Sequence, residues 1–403
     1  MNNKTIWYLN PWDALPNEIG FDRSLSIINK LSRNNFNVVW WNTSFSHAEK
    51  KFRKKITLDN CELILLPGIQ YKSNTGIKRL ISSVLLFSFF FQIKSVLKTK
   101  PQIIYLSGPI LFVSLYVFLL KLFFNVKVVC ELRDLWPEGS INQANGMKKY
   151  FFKLISVIPY FSRYLLFKFS DNNVFINQKF KSHAEKLYSF LKQKPSVISL
   201  PSPIIDFGKI KNYCSTKFKK NKNEIWAIFS GTLGDSHNQE IVLNSLEYVN
   251  NSIKKKLIIF ISGDGHNRNK LLNIINRNKL QNIFLTGYLS HNDYLLLLEK
   301  SDFGLSFYHS HSPVSFPTKV MDYINAELPI IMSGSFDASR VIEENNCGIV
   351  IRSDSENEIA KAISEMCNSE KLSIYTNNIK KISKNYSSES QIDIICDFLY
   401  KLI

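Results

Sequence analysis

What this chain of 403 residues lacks narrows it first. Its six cysteines (Cys61, Cys130, Cys214, Cys347, Cys367 and Cys396) are scattered, with no CxxC pair and no histidine at metal-ligand spacing. Neither a zinc site nor a disulfide framework is therefore suggested, and a reducing, cytoplasmic setting is expected. The start, MNNKTIWYLNPWDALP, has neither an apolar core of signal-peptide length nor a small-residue cleavage site, so export is not expected. Long apolar runs are scarce as well. Residues 103–124, IIYLSGPILFVSLYVFLLKLFF, carry one charge, Lys121, and are long enough to span a bilayer. Gly108-Pro109 divides them into a strand and a helix of about 15 residues, too short to cross at about 1.5 Å per residue. The second run, 81–93, contains VLLFSFFFQI between Lys78-Arg79 and Lys94, and reads either as an interfacial helix or as a buried crossover helix.

Negative charge is scarce in one half only. Residues 1–200 hold 28 Lys/Arg against 11 Asp/Glu, whereas residues 201–403 hold 23 against 22, so the first half carries nearly all of the net +18. Five of the six tryptophans (Trp7, Trp12, Trp40, Trp41 and Trp136) lie there too. A basic and aromatic surface attracts anionic membranes or nucleic acid; a solvated basic face is the plainer alternative.

What is present is a regular alternation of β-branched or aromatic runs with helical periods, the mark of parallel βαβ units. TIWYLN, FNVVWWN, ELILLP, QIIYLS, VKVVCEL, NNVFIN and SVISLP read as seven strands of one domain, with SLSIINKLSRN a helix after the first. The stretch PIIDFGKIKNYCSTKFKKNKNE loses this periodicity and gains lysine and asparagine, as a linker does. EIWAIFSGTLG, KLIIFISGDG, NIFLTGYL, DFGLSFY, PIIMSG and GIVIR then form a second series. A chain of this length exceeds one core, so the expected α/β architecture is two doubly wound domains with a cleft between them. The expected bounds are 1–203, a linker at 204–224, a second domain at 225–385, and a terminal helix at 386–403 whose stripe Ile392, Ile395, Leu399 and Leu402 crosses back to the first domain.

Four short stretches could carry chemistry. SGTLG (230–234) and SGDG (262–265) end strands, as does Gly287, and ligands bind at the carboxyl ends of such strands. Gly231, Gly263, Gly265 and Gly287 would let backbone approach a phosphate without a Cβ, though glycine also simply terminates strands. In FPTKVMDYINAELPII, Lys319 and Asp322 share one face of a helix that starts after Pro317. A cation near a helix N-terminus opposes the dipole unless an anion binds, and Asp322 could accept hydrogen bonds from a vicinal diol; a surface ion pair is the alternative. In CELRDLWPEGS, Glu131 and Arg133 share a strand face while Asp134 falls at its carboxyl end. His309-Ser310-His311 has no third ligand spaced sensibly nearby and reads as a loop.

As an ordered set, ELRDLWPEGS, SGTLG, SGDG, TGYLS and PTKVMDYINAELPII resemble the GT-B glycosyltransferases of family 4, above all the bacterial branch that builds O-antigen and capsule repeats. The opening RSLSIINKLSRNNFNVVWWNTSFSH is similar to that branch's start. The resemblance implies a retaining, metal-independent glycosyltransferase with no cofactor beyond its nucleotide-diphospho-sugar donor. Gly20, Ser230 and Gly231 would approach the diphosphate, with the SGDG glycines close by. Lys319 and Arg23 would compensate charge, Tyr288 and Leu289 would border the nucleobase, and Asp322 would bind ribose where the family has Glu. Arg133 and Asp134 would face the transferred sugar or acceptor, Asp134 as the catalytic or acceptor-orienting group. The acceptor would be a polyprenyl-diphosphate-linked glycan at the inner leaflet, the protein peripheral on that anionic membrane surface, with no nucleic acid partner. Thr232 and His237-Asn238 stand where the wider family has an Arg/Lys pair, Val314 where it has a first Glu, and Glu327 where Gly is common. A nucleotide-sugar epimerase of the same architecture and a non-catalytic basic membrane-binding protein are the competing readings.

Overall fold

A computed structural model describes residues 4–402 except 17, 19–22, 55, 72–77, 79–80, 83–84, 87–99, 109–112, 144–145, 212, 214–216, 310–315 and 335–336. Gly20, Val314, the pair Ser310-His311 and most of the 81–93 run therefore lie outside the described residues. The chain divides into two compact units, Met1–Leu200 with Ile392–Ile403, and Pro201–Gln391.

The first unit is built on seven parallel strands: β1 (Lys4–Leu9), β2 (Phe36–Thr43), β3 (Glu62–Leu66), β4 (Ile103–Ser107), β5 (Lys127–Leu132), β6 (Asn172–Phe175) and β7 (Ser196–Ile198). Their order is β3-β2-β1-β4-β5-β6-β7. Each central strand is mostly apolar because helices cover both sheet faces, and its alternate residues feed two cores. Trp7, Leu9, Val39, Trp41, Ile104 and Leu106 enter one; Ile6, Tyr8, Val38, Trp40, Ile103 and Tyr105 enter the other. Trp7, Trp40 and Trp41 are thus core residues, and the basic half does not present them to a membrane. The helices needed below are α1 (Arg23–Arg33), α2 (Val113–Phe124), α3 (Glu138–Gln143), α4 (Gly146–Ile155) and α5 (Val157–Phe169). Spanning about 18 Å, α2 is only a crossover helix, and among the described residues no helix is long and apolar enough to cross a membrane.

The second unit has six parallel strands, β8 (Ile225–Ser230), β9 (Leu257–Ser262), β10 (Ile283–Gly287), β11 (Phe303–Ser306), β12 (Ile330–Ser333) and β13 (Gly348–Ile351), in the order β10-β9-β8-β11-β12-β13. Three of its helices concern the site: α6 (Arg268–Arg277), α7 (His291–Lys300) and α8 (Thr318–Asn325). Described residues of the lysine-rich 204–224 stretch are fastened to this unit: Tyr213 and Lys217 bond the two oxygens of Asp293 at 2.8 and 2.6 Å, and Lys220 pairs with Asp302. The last helix, α9 (Ser388–Tyr400), begins in the second unit, and its Ile392, Ile395 and Leu399 complete the core around Ile6 and Trp40 in the first. Strand order reverses between β1 and β4 in one unit and between β8 and β11 in the other. Those two reversals mark where an open α/β sheet opens a crevice for ligand.

Candidate active site

At the first unit's reversal the polar groups bond one another. Asn10 donates to Ser24 Oγ at 3.0 Å and Ser107 Oγ at 3.3 Å, and Ser107 donates to Glu131 Oε2 at 2.6 Å. Glu131 is buried and holds Arg23, whose Nη2 lies 3.0 Å from Oε1. Arg23 spends its remaining donors on Leu200 O, Ser199 O and Ser199 Oγ. Being 3 % exposed, it cannot serve a departing diphosphate: a buried guanidinium needs these acceptors for itself. Arg133 lies one residue past the end of β5 and donates through Nη1 to both oxygens of Asp13, at 3.0 and 2.8 Å. Asp13 and Glu131 hold the Arg133 pKa above its ordinary value although burial works against them. Its charge is therefore matched by Asp13, through Nη1. Asp134 follows and is exposed. Beyond it, Arg163 clamps Glu138, at the start of α3, and Trp136 O, which fixes the path of the LWPE turn.

In the second unit, the expected backbone cradle is occupied from within. The Ser230 amide donates to Tyr323 Oη at 2.8 Å and the Gly231 amide to Ser262 O at 2.9 Å, so neither is open to a diphosphate. The glycines are required by loops that pass each other closely: a Cβ on Gly263 would stand 1.9 Å from Gly231 O, and one on Gly265 2.3 Å from Leu233 O. Gly263 also bonds Gly287 O through its amide. The close approach that these glycines allow is thus backbone to backbone. Among the described residues, the amides of this loop left without a partner are those of Thr232, Asp235 and Ser236.

Lys319 and Asp322 do come together, and they recruit residues that the pattern of the sequence did not single out. Asp322 is 3 % exposed, which removes the surface-pair alternative. Its Oδ2 accepts from Lys319 Nζ and from Tyr294 Oη, each at 2.7 Å; among the described residues its Oδ1 has no partner. Lys319 lies over the Tyr294 ring at 4.6 Å, and its side chain stays about a third exposed, with donors to spare. Behind them, Ser230 Oγ sits 3.0 Å from Tyr294 Oη and 2.8 Å from Tyr323 Oη. Burial, then the Asp322 charge, pushes the Tyr294 pKa well above its ordinary value, so its hydroxyl stays a donor. The tyrosines had one legible signal: Gly304 lies mid-strand in β11, where a Cβ would meet the Tyr323 ring at 2.4 Å. His237 lies against Tyr308 with the ring centroids 4.5 Å apart and the planes tilted by 37°, and burial lowers its pKa below the ordinary 6.5. Tyr288 and Leu289 follow β10, Tyr288 with its side chain in solvent.

Residues 214–385, which hold this cluster, match the family model for glycosyl transferases group 1. The match covers this stretch and less than half of the chain. Over 319 residues the chain is 22% identical to chitobiosyldiphosphodolichol beta-mannosyltransferase of Kluyveromyces lactis, covering 72% of this chain and 68% of that protein. It spans about half the length (47% and 50%) of the like-named proteins of Debaryomyces hansenii and Candida albicans. Its architecture is that of a glycosyltransferase from Rickettsia africae, with a TM-score of 0.67 and 14% identity over 100% of this chain and 99% of that one. Anabaena HepE in complex with UDP and glucose is also similar, with a TM-score of 0.60 and 13% identity over 99% and 100%. The two Rossmann-like units are the GT-B fold, and the matches support a glycosyltransferase that transfers a sugar.

Proposed function

We propose that this glycosyltransferase moves a hexosyl or N-acetylhexosaminyl group from a nucleoside-diphosphate donor, UDP-linked in the first instance, to a polyprenyl-diphosphate-linked glycan in surface polysaccharide synthesis. Asp322 carries the reading: one oxygen is held by Lys319 and Tyr294 while the other is left for ribose hydroxyls. Lys319 is the cation beside the diphosphate, the open amides of Thr232, Asp235 and Ser236 add donors, and the backbone of Tyr288 and Leu289 borders the base. The bond from anomeric carbon to diphosphate oxygen breaks, and its electron pair leaves with the diphosphate. The acceptor hydroxyl bonds to the same face and gives its proton to the departing phosphate oxygen. Charge developing on that oxygen is what Lys319 stabilises, so no metal is needed and a chelator leaves the rate unchanged. The yeast relatives, named for a β-mannosyl transfer onto a diphosphodolichol-linked sugar, support a lipid-linked acceptor. The β in that name favours inversion as a second reading, and the anomeric coupling constant of the product decides. Asp134 orients the acceptor; Asp134→Asn lowers kcat with the melting temperature unchanged. We place the protein in the cytoplasm, peripheral on the inner membrane face, where its basic half meets anionic lipid.

The test is UDP binding by calorimetry. Lys319→Ala and Asp322→Asn each weaken it by about tenfold or more, since each charged hydrogen bond contributes about 1.5–3 kcal/mol. Binding unchanged in both variants overturns the proposal.

A further inference from the structure

In a soluble fold a helix turns its apolar stripe inward and its polar side chains outward. Helix α4 and the first turns of α5 depart from this, although α5 also buries Leu166 and Phe167. On α4, Met147, Tyr150, Phe151 and Leu154 fall at i, i+3, i+4 and i+7, and all four are largely exposed, Met147 at 89% and Leu154 at 75%. On α5, Ile158 and Phe161 are also more than half exposed. Meanwhile polar groups of α5 face inward: Ser162 bonds Ser114 of α2 at 3.0 Å, and the buried Arg163 pairs with Glu138. The outward stripe is thus set by the internal pairing of α5 together with the spacing of α4, and is larger than scattered surface leucines account for.

The charges say what covers it. Residues 146–169 contain no Asp or Glu, and besides the inward Arg163 their described cations are Lys149, Lys153 and Lys168. A second copy docked about a two-fold axis would set these lysines against their equivalents. An anionic bilayer satisfies both halves of the surface at once: apolar side chains enter the acyl boundary while lysines meet phosphate headgroups. At ten and thirteen residues neither helix can span.

We propose that the outward face of α4 and α5 docks flat on an anionic lipid surface, inserting Tyr150, Phe151, Leu154, Ile158 and Phe161. This names the docking element behind the membrane location proposed above, and it neither uses nor requires the donor site. The experiment floats the full chain with vesicles of equimolar phosphatidylcholine and phosphatidylglycerol, and with phosphatidylcholine alone. The wild type is expected to float with the mixed vesicles at low salt and to be lost from pure phosphatidylcholine. Combining Phe151→Ser, Leu154→Ser and Ile158→Ser lowers the bound fraction by about tenfold, with the melting temperature and UDP binding unchanged. Lys149→Glu with Lys153→Glu, which leaves the apolar groups in place, also lowers it and keeps the proposal testable should the triple variant misfold. In a Phe161→Trp protein, fluorescence shifts to the blue on vesicle addition and is quenched by brominated lipid. Flotation unchanged in both sets of variants overturns the proposal. So does a wild type that ignores vesicles while sedimenting as a dimer that the serine variants dissociate, because the face would then join two copies of the chain. Loss of UDP binding in Lys319→Ala with flotation intact would separate the transfer reading from this one.

Discussion

The two units place polar side chains at the same point of the same topology and use them differently. In the first unit arginines meet carboxylates at and beyond the sheet's reversal: Arg23 with Glu131, Arg133 with Asp13, Arg53 with Glu18, and Arg163 with Glu138. The guanidinia of Arg23 and Arg163 are buried, so the charge there holds loops and strands in position. At the second sheet's reversal Lys319 and Asp322 are backed by the buried Tyr323 and the half-buried Tyr294, and the lysine keeps part of its surface in solvent. The charge-rich edge is the more structural one, because burying a charge obliges the fold to supply its counter-charge. The charge-poor edge keeps unspent donors and an unspent acceptor, which a ligand needs.

This contrast is open to attack at both edges. The largest effect is expected in the first unit: Glu131→Ala leaves Arg23 buried without its carboxylate and should cost about 3–5 kcal/mol in chemical denaturation. A loss under 1 kcal/mol would show that the pair is dispensable. Next, Gly304→Ala drives a Cβ into the Tyr323 ring and should cost about 1–3 kcal/mol. It should also weaken UDP binding, since the ring carries the hydroxyl that holds Ser230. Stability falling with UDP affinity intact would detach the tyrosines from the site. The smallest effect is one of pH. Burial pushes the Glu138 carboxyl up, but hydrogen bonds from Arg163 and then His183 outweigh it and hold the pKa below the ordinary 4.5. The folded state therefore gains stability from this group above pH 4.5, and loses it as pH falls through the lower folded value. Thermal melts taken downward past that pH should show a steeper decline than those of Glu138→Gln; equal slopes would refute the clamp.

Much of the fold was legible because it rests on short-range pattern. Runs such as IWYL and VVWW can only be strands covered on both faces, and the terminal stripe at Ile392, Ile395 and Leu399 needed a surface. Part of the site was legible for the same reason: Lys319 and Asp322 are one helical turn apart, so their meeting is local. The roles assigned to Arg23, Arg133, Ser230 and Gly231 were not, because each depends on a partner far along the chain: Leu200 for Arg23, Asp13 for Arg133, Tyr323 for Ser230 and Ser262 for Gly231.

By itself the sequence determined the parallel sheets, the basic character of one half, and the local pairing of Lys319 with Asp322, since these follow from period and spacing. Only the tertiary structure decided which charges are spent inside the molecule, which amides remain open, and that the apolar stripe of α4 points outward. Period assigns a residue to a helix face, but which face is buried depends on what packs against it from elsewhere in the chain.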